Sequence, residues 1–154
     1  MVKRNPNGTR FITLPNGYHL WTQTLGSGPI QLLTLHGGPG GTNEVFENFA
    51  AELASFGVRV SRYDQLGSFF SDQPDFSDPA NQKRFLNIAY YVDEVENVRQ
   101  QLGLDHFYLI GQSWGGALTQ LYALKYGQHL KGAIISSMVD NINEYVDHIN
   151  LVRE

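Results

Sequence analysis

The sequence predicts an α/β protein in which helices cover both faces of one mostly parallel sheet. Three observations carry that expectation. Short apolar runs bounded by turn residues recur at 30–35, 58–63, 107–110 and 132–138. Segments with apolar residues at helical spacing lie between them, over 46–56, 85–102 and 117–124. The order is a hairpin first and then strands alternating with helices, and alternation of that kind is how parallel strands are connected.

The hairpin spans residues 11–25. Phe11-Ile12-Thr13-Leu14 and Tyr18-His19-Leu20-Trp21-Thr22 flank the turn Pro15-Asn16-Gly17. The apolar run 30–35 stops at His36-Gly37-Gly38-Pro39-Gly40-Gly41, which is a loop by composition. Thr42 or Asn43 caps the helix that follows; Phe46, Phe49, Ala50, Leu53 and Phe56 line one face of it, and Gly57 ends it. Residues 58–63 give the next strand. The stretch 64–82 is polar and rich in Pro, Asp and Ser, so it reads as a long surface loop. Apolar residues at 85, 88, 89, 92, 95, 98 and 102 predict an amphipathic helix. Phe107-Tyr108-Leu109-Ile110 then forms a short buried strand. After a tight turn, Ala117, Leu118, Leu121, Tyr122 and Leu124 recur at helical spacing, with Gly127 as the stop. A last strand occupies 132–138.

Composition bounds the function classes. A chain of 154 residues with 42% hydrophobic and 17% charged residues is globular and holds one core. The net charge of −4 and the lack of a Lys/Arg cluster argue against nucleic acid. There is no cysteine, which excludes disulfides, thiol catalysis and thiolate metal sites. His19 and His36 lack partners at ligand spacing, so neither a metal nor any other cofactor is expected. The start, Met1-Val2-Lys3-Arg4-Asn5-Pro6-Asn7-Gly8, lacks the apolar stretch of a signal peptide. No apolar run approaches the roughly 18 residues needed to span a bilayer, so a soluble cytoplasmic protein without a membrane partner is expected.

The chemistry concentrates at Gly111-Gln112-Ser113-Trp114-Gly115. This is G-x-S-x-G between a strand and a helix, a turn that presents a serine as nucleophile and tolerates only glycine at its flanks. The alternative is a glycine-rich turn whose serine merely caps the helix. A serine nucleophile needs donors for the negative oxygen of its tetrahedral intermediate. The backbone N–H of Trp114 is one such donor, and Gly38, in the loop after the strand 30–35, is assigned as the other. Glycine there lets the backbone approach a substrate, although a turn that needs glycine for geometry alone explains Gly40 and Gly41 equally well. His36 reads as a residue that orients this loop. The loops 36–41, 64–71 and 113 follow three different strands, and loops at the carboxyl ends of parallel strands form the site.

His36-Gly37-Gly38-Pro39-Gly40, Tyr63-Asp64-Gln65-Leu66-Gly67, Ser71-Asp72-Gln73-Pro74 and Gly111-Gln112-Ser113-Trp114-Gly115-Gly116 occur in this order. The set resembles the proline iminopeptidases, serine peptidases of the α/β-hydrolase fold, over nearly the whole chain up to residue 138. The resemblance implies that Ser113 is the nucleophile and that the Gly38 and Trp114 amides form the oxyanion hole. The reaction implied is release of an N-terminal proline from a peptide through an acyl-enzyme. One departure stands out: where members of that family commonly carry Cys-Gly-Arg-Ser, this chain has Ser68-Phe69-Phe70-Ser71. Two phenylalanines replace Gly and Arg, which either repacks the loop or reshapes the substrate pocket.

In this fold the nucleophile precedes the acid, and the histidine base comes last. After Ser113 the histidines are His129 and His148, both read as surface residues. The family continues with a helical cap, two more strands, the acid and the base, and residues 141–154 resemble the first helix of such a cap. Residues 1–140 thus read as the N-terminal part of the core and 141–154 as the start of the cap. A sheet ending at its sixth strand leaves an apolar edge. The chain accordingly reads as an N-terminal half, either truncated or one product of a nick whose C-terminal half stays associated as a separate chain. Residues 1–154 alone are expected to show negligible peptidase activity. Two other functions remain open: another acyl hydrolase on the same scaffold (an esterase, an amidase or a broader aminopeptidase), or a non-catalytic binding or assembly module. Dehalogenase and epoxide hydrolase chemistry is disfavoured, because those relatives place an aspartate where this chain has Ser113.

Overall fold

The structure, a computed structural model, describes residues 8–138. Among the described residues six strands form one sheet: β1 (Thr9–Thr13), β2 (His19–Leu25), β3 (Ile30–Leu35), β4 (Val58–Tyr63), β5 (Phe107–Gln112) and β6 (Leu130–Ser136), in the order β1-β2-β4-β3-β5-β6. The hairpin strands pair antiparallel with each other and with β4. From β4 across β3 and β5 to β6 every pair is parallel.

The central strands have a covered surface on each side, so neighbouring residues enter different cores. Leu33 and Leu35 pack with Val92, Val95, Val98, Leu118 and Tyr122 from the helices on one side. Leu32 packs with Val58, Val60, Ile110 and Phe46 on the other. This two-sided burial is why adjacent residues are both apolar in these strands, Leu32-Leu33 in β3 and Leu109-Ile110 in β5, instead of alternating with polar ones.

The helices are α1 (Phe49–Glu52), α2 (Pro79–Phe85), α3 (Ile88–Leu102) and α4 (Trp114–Tyr126). Helix α3 begins where the Asn87 side chain accepts the Tyr90 amide at 2.9 Å, and it ends at Gly103, whose φ of 65° is left-handed. The single helix expected over 85–102 is therefore two, because Asn87 caps a new start. Helix α2 begins earlier, with the Asp78 carboxylate accepting the Ala80 amide and Pro79 in the first turn.

Three further expectations need correcting. The helix expected from Thr42 to Gly57 is a chain of short pieces: a 3-10 turn at Asn43–Phe46, then α1, then a 3-10 turn at Ala54–Phe56. Asn43 is diverted, since its backbone and side-chain nitrogens both donate to Asp64, and Phe56 is 70% exposed instead of lining the buried face. The stretch 64–82 is not a surface loop throughout, because Asp64, Gln65, Leu66, Ser68 and Ser71 are buried. The last strand starts at Leu130, two residues before its expected start. Among the described residues it is the last strand of the sheet, with Ile134 and Ile135 about half exposed on it. The expected cap helix 141–154 lies outside the described residues.

Candidate active site

The chain runs from β3 to β4 on one side of the sheet and then crosses to β5 on the other side of β3. The carboxyl ends of β3 and β5 therefore flank the point where strand order reverses, the place where open α/β sheets form a crevice. The loop beginning at His36 leaves β3 there, and the Ser113 turn leaves β5.

Ser113 has φ 54° and ψ −119°, a conformation that costs a non-glycine residue on the order of 1–3 kcal/mol. The surroundings hold it in place. Its amide donates to the Ser136 carbonyl of β6 at 2.9 Å, and its own carbonyl accepts from Gly116 at 2.7 Å. The flanking glycines are needed because the backbone is packed on three sides. A Cβ on Gly111 would lie 1.9 Å from the Gly115 carbonyl oxygen, and one on Gly115 would lie 2.1 Å from that of Leu35 in β3. One on Gly116 would meet the Met138 Cβ at 2.9 Å. Helix α4 thus starts against both neighbouring strands, which pushes the serine up at its N-terminus.

Trp114 is the first residue of α4, where the helix itself supplies no acceptor for the backbone N–H. Across the crevice, a Cβ on Gly37 would lie 3.3 Å from the Ser113 Cβ and 2.5 Å from the Gln112 Oε1. The glycine loop is therefore packed directly on the serine. Gly38 follows with φ 130°, a conformation open only to glycine in practice, and a Cβ there would meet the Gly40 and Gly41 nitrogens at 2.5 and 2.6 Å.

All three loops converge. His36 is 1% exposed; its Nε2 accepts the Gln65 amide at 3.0 Å, so the proton sits on Nδ1, which donates to the Gly37 carbonyl at 2.9 Å. Burial pushes the imidazole below its usual range, so it is neutral at neutral pH. Gln65 donates its side-chain amide to the His36 carbonyl at 2.9 Å and accepts the Trp114 indole N–H at 2.9 Å. Asp64 is fully buried and accepts the Asn43 backbone and side chain through Oδ1 at 2.8 and 2.9 Å, and the Phe70 amide through Oδ2 at 3.2 Å. The loop after β4 is thus the brace between the glycine loop and the serine turn. The sequence points to this loop but assigns Asp64 and Gln65 no individual role. Their signal was a carboxylate and an amide directly after a buried strand, where a solvated loop has no need of a fixed polar pair.

Among the described residues no histidine hydrogen-bonds the Ser113 hydroxyl. His36 is engaged as above, His19 faces Asp72 at 3.0 Å, and His106 lies 3.9 Å from Asp105. His129 immediately precedes β6, at the amino ends of the parallel strands and so at the opposite end of the sheet from Ser113. His148 lies outside the described residues. Phe69 and Phe70 stack with ring centroids 3.9 Å apart, and Phe70 lies 5.4 Å from Trp21 of β2, on the far side of β4 and β3 from β5. Among the described residues no group of three or more His, Asp or Glu is placed to hold a metal ion, and no helix is long and apolar enough to cross a membrane.

A strained serine between Gly111 and Gly115, at the switch point of a mixed six-stranded sheet, defines the class, and the comparison with known families agrees. Residues 31–151 match the alpha/beta hydrolase fold family, and the chain belongs to it. Among individual proteins, it is similar to the proline iminopeptidase of Elizabethkingia meningoseptica, with 43% identity over 145 residues that cover 92% of this chain and 47% of that protein. The proline iminopeptidase of Chitinophaga pinensis is 41% identical over 92% of this chain and 46% of its own length. In structure, the chain superimposes on a proline iminopeptidase of Mycobacterium smegmatis with a TM-score of 0.83 at 27% identity, covering 94% of this chain and 48% of that one. The chain spans about half the length of the curated relatives it matches.

Proposed function

We propose that the protein is a serine hydrolase of the prolyl aminopeptidase type and that this chain carries its nucleophile and oxyanion hole. The observation that carries the reading is the strained Ser113 turn packed against the glycine loop by way of Gly37. The similarity to proline iminopeptidases supports the substrate class, a peptide with an N-terminal proline.

In the proposed reaction the Ser113 oxygen attacks the carbonyl carbon of the N-terminal residue. The carbonyl π pair moves to oxygen, and the Trp114 and Gly38 amides receive that charge. Donors of this kind, fixed before the reaction, contribute about 3–4 kcal/mol each. The tetrahedral intermediate collapses with departure of the peptide amine, which leaves an acyl-enzyme that water then hydrolyses. A base must take the serine proton and return it to the leaving amine. His36 does not fill that role, since both its ring nitrogens are occupied inside the loop cluster. Fold order puts acid and base after the serine, and they are proposed to lie beyond residue 138. Residues 1–154 by themselves are accordingly proposed to be nearly inactive, with the rest of the enzyme supplied either in the same chain or as an associated one.

The test is turnover of a proline arylamide by the whole enzyme, compared with Ser113→Ala and with p-nitrophenyl acetate as substrate. The reading expects a loss in kcat of at least 10³-fold in Ser113→Ala. Undiminished turnover in that variant overturns the nucleophile assignment. Ester hydrolysis without proline release leaves the nucleophile standing and refutes the substrate. Appreciable cleavage by isolated 1–154 refutes the location of the base.

A further inference from the structure

Glu94 lies in the middle of α3, yet it is 2% exposed, and both its carboxylate oxygens lie 3.3 Å from the Leu66 amide in the loop after β4. It does not touch Ser113, and nothing in the proposed reaction uses it. The next peptide back carries the brace of the site. The Gln65 amide donates to His36 and its side chain accepts the Trp114 indole N–H. Tyr91, three residues before Glu94, holds the same segment from the same side: its hydroxyl donates to the Leu66 carbonyl at 3.2 Å, and its ring packs edge-on against Trp114 at 5.8 Å.

We propose that Glu94 is a positioning residue for the nucleophile turn: by accepting the Leu66 amide from beneath, it fixes the Gln65–Leu66 segment in register with His36 and the Trp114 indole. The assignment of a catalytic consequence rests on Ser113 being the nucleophile; the positioning itself does not. The Leu66 amide and the Tyr90 hydroxyl both donate to this carboxylate. Burying it is still costly for so few donors, so its presence is better matched to fixing the loop than to stability.

Other groups around it set how it titrates. From β4 comes the buried Tyr63, whose hydroxyl has no hydrogen-bond partner in the structure, and from α3 come Tyr90, Tyr91 and Asp93. Arg84 of α2 shares with Glu94 a cavity of about 330 Å³ that is also lined by Asn16, Tyr90, Asp93 and Asn97. That cavity gives a route for proton exchange. Burial, the dominant influence, pushes the Glu94 carboxyl up to about 8. Its charge state thus changes near pH 8, and with it the pull on Leu66. Because Gln65 and Leu66 are adjacent, the Trp114 indole hydrogen bond should report the change.

The experiment follows the indole N–H resonance of Trp114 in the whole enzyme by NMR between pH 6 and 9.5, assigned by its absence in Trp114→Phe. No catalysis is needed, so the result is independent of the peptidase reading. The expected result is a titrating shift with midpoint near pH 8 that disappears in Glu94→Gln. An indole resonance that does not move with pH, or that titrates identically in Glu94→Gln, overturns the proposal. In the whole enzyme, Glu94→Ala should lower kcat/KM at least 10-fold, with Glu94→Gln restoring it to within about 3-fold because the amide oxygen still accepts from Leu66. Equal loss in both variants also counts against it.

Discussion

Gly115→Ala tests how α4 is seated. The added methyl would stand 2.1 Å from the Leu35 carbonyl oxygen and 2.7 and 2.8 Å from the Leu35 carbon and the His36 oxygen. All three are backbone atoms of β3 and its exit, so no side chain can swing aside. Ordinary carbon contact begins near 3.5 Å, so the helix start must retreat by about 1 Å. Overpacking of this kind costs about 1–3 kcal/mol, and contact with backbone argues for the upper end. Alanine recovers up to about 1 kcal/mol of helix propensity, which leaves a net loss of about 2 kcal/mol. Gly127→Ala is the control: φ is −60°, and a Cβ there meets nothing within 4 Å. A glycine of that conformation gains about 0.4–1 kcal/mol on replacement by alanine, through the unfolded chain. Urea denaturation followed by tryptophan fluorescence should therefore move the two midpoints in opposite directions. The 1 Å retreat also carries Ser113 with it, and a misplacement of that size costs about 10²-fold in rate. A Gly115→Ala protein as stable as the parent would refute the packing argument, whatever its activity.

Other predictions follow from the buried polar groups. Glu94 has a folded-state pKa raised to about 8 above the ordinary value of 4.5, so its contribution to stability is complete below pH 4.5 and is lost as pH rises through 8. Between those values stability should fall by up to about 1.4 kcal/mol per pH unit on its account, and Glu94→Gln should flatten that slope in denaturation curves. For His36 the sign is opposite: burial depresses the folded pKa, so its contribution is present above the unfolded value of 6.5 and is lost as pH falls below it. A His36→Gln protein should show a shallower loss of stability below pH 6.5 than the parent. Gln65→Leu strands the Trp114 indole N–H and the His36 carbonyl, and unsatisfied buried groups cost about 1–3 kcal/mol each. Calorimetry should show that loss; an unchanged melting temperature would mean water replaces the amide.

Much of the architecture was legible because its signals are local. The runs 30–35 and 58–63 coincide with β3 and β4, and the elbow sits between β5 and α4 as its glycines require. The failures have a common physical cause, namely tertiary hydrogen bonds that override a local pattern. Phe46, Phe49 and Phe56 have helical spacing, but Asp64 captures Asn43 and breaks the segment into short turns. The run from Phe85 to Leu102 has unbroken periodicity, yet Asn87 interrupts it as an N-cap. The polarity of Asp64, Gln65, Ser68 and Ser71 suggested solvent, whereas these side chains face the inside of a loop cluster. In the site, the elbow and glycine loop were visible as motifs, but the brace formed by Asp64, Gln65 and Glu94 was not. Bracing depends on which loops meet, and that is set by the strand order.

The central claim is that Ser113 is the reactive nucleophile, and fluorophosphonate labelling of the whole enzyme followed by peptide mass mapping tests it most directly. One phosphonyl adduct is expected, on Ser113 within Gly111–Gly116, blocked by a proline-terminated peptide and absent in Ser113→Ala. An adduct on another serine, or a protein that turns over proline arylamide while Ser113 stays unlabelled, would contradict it.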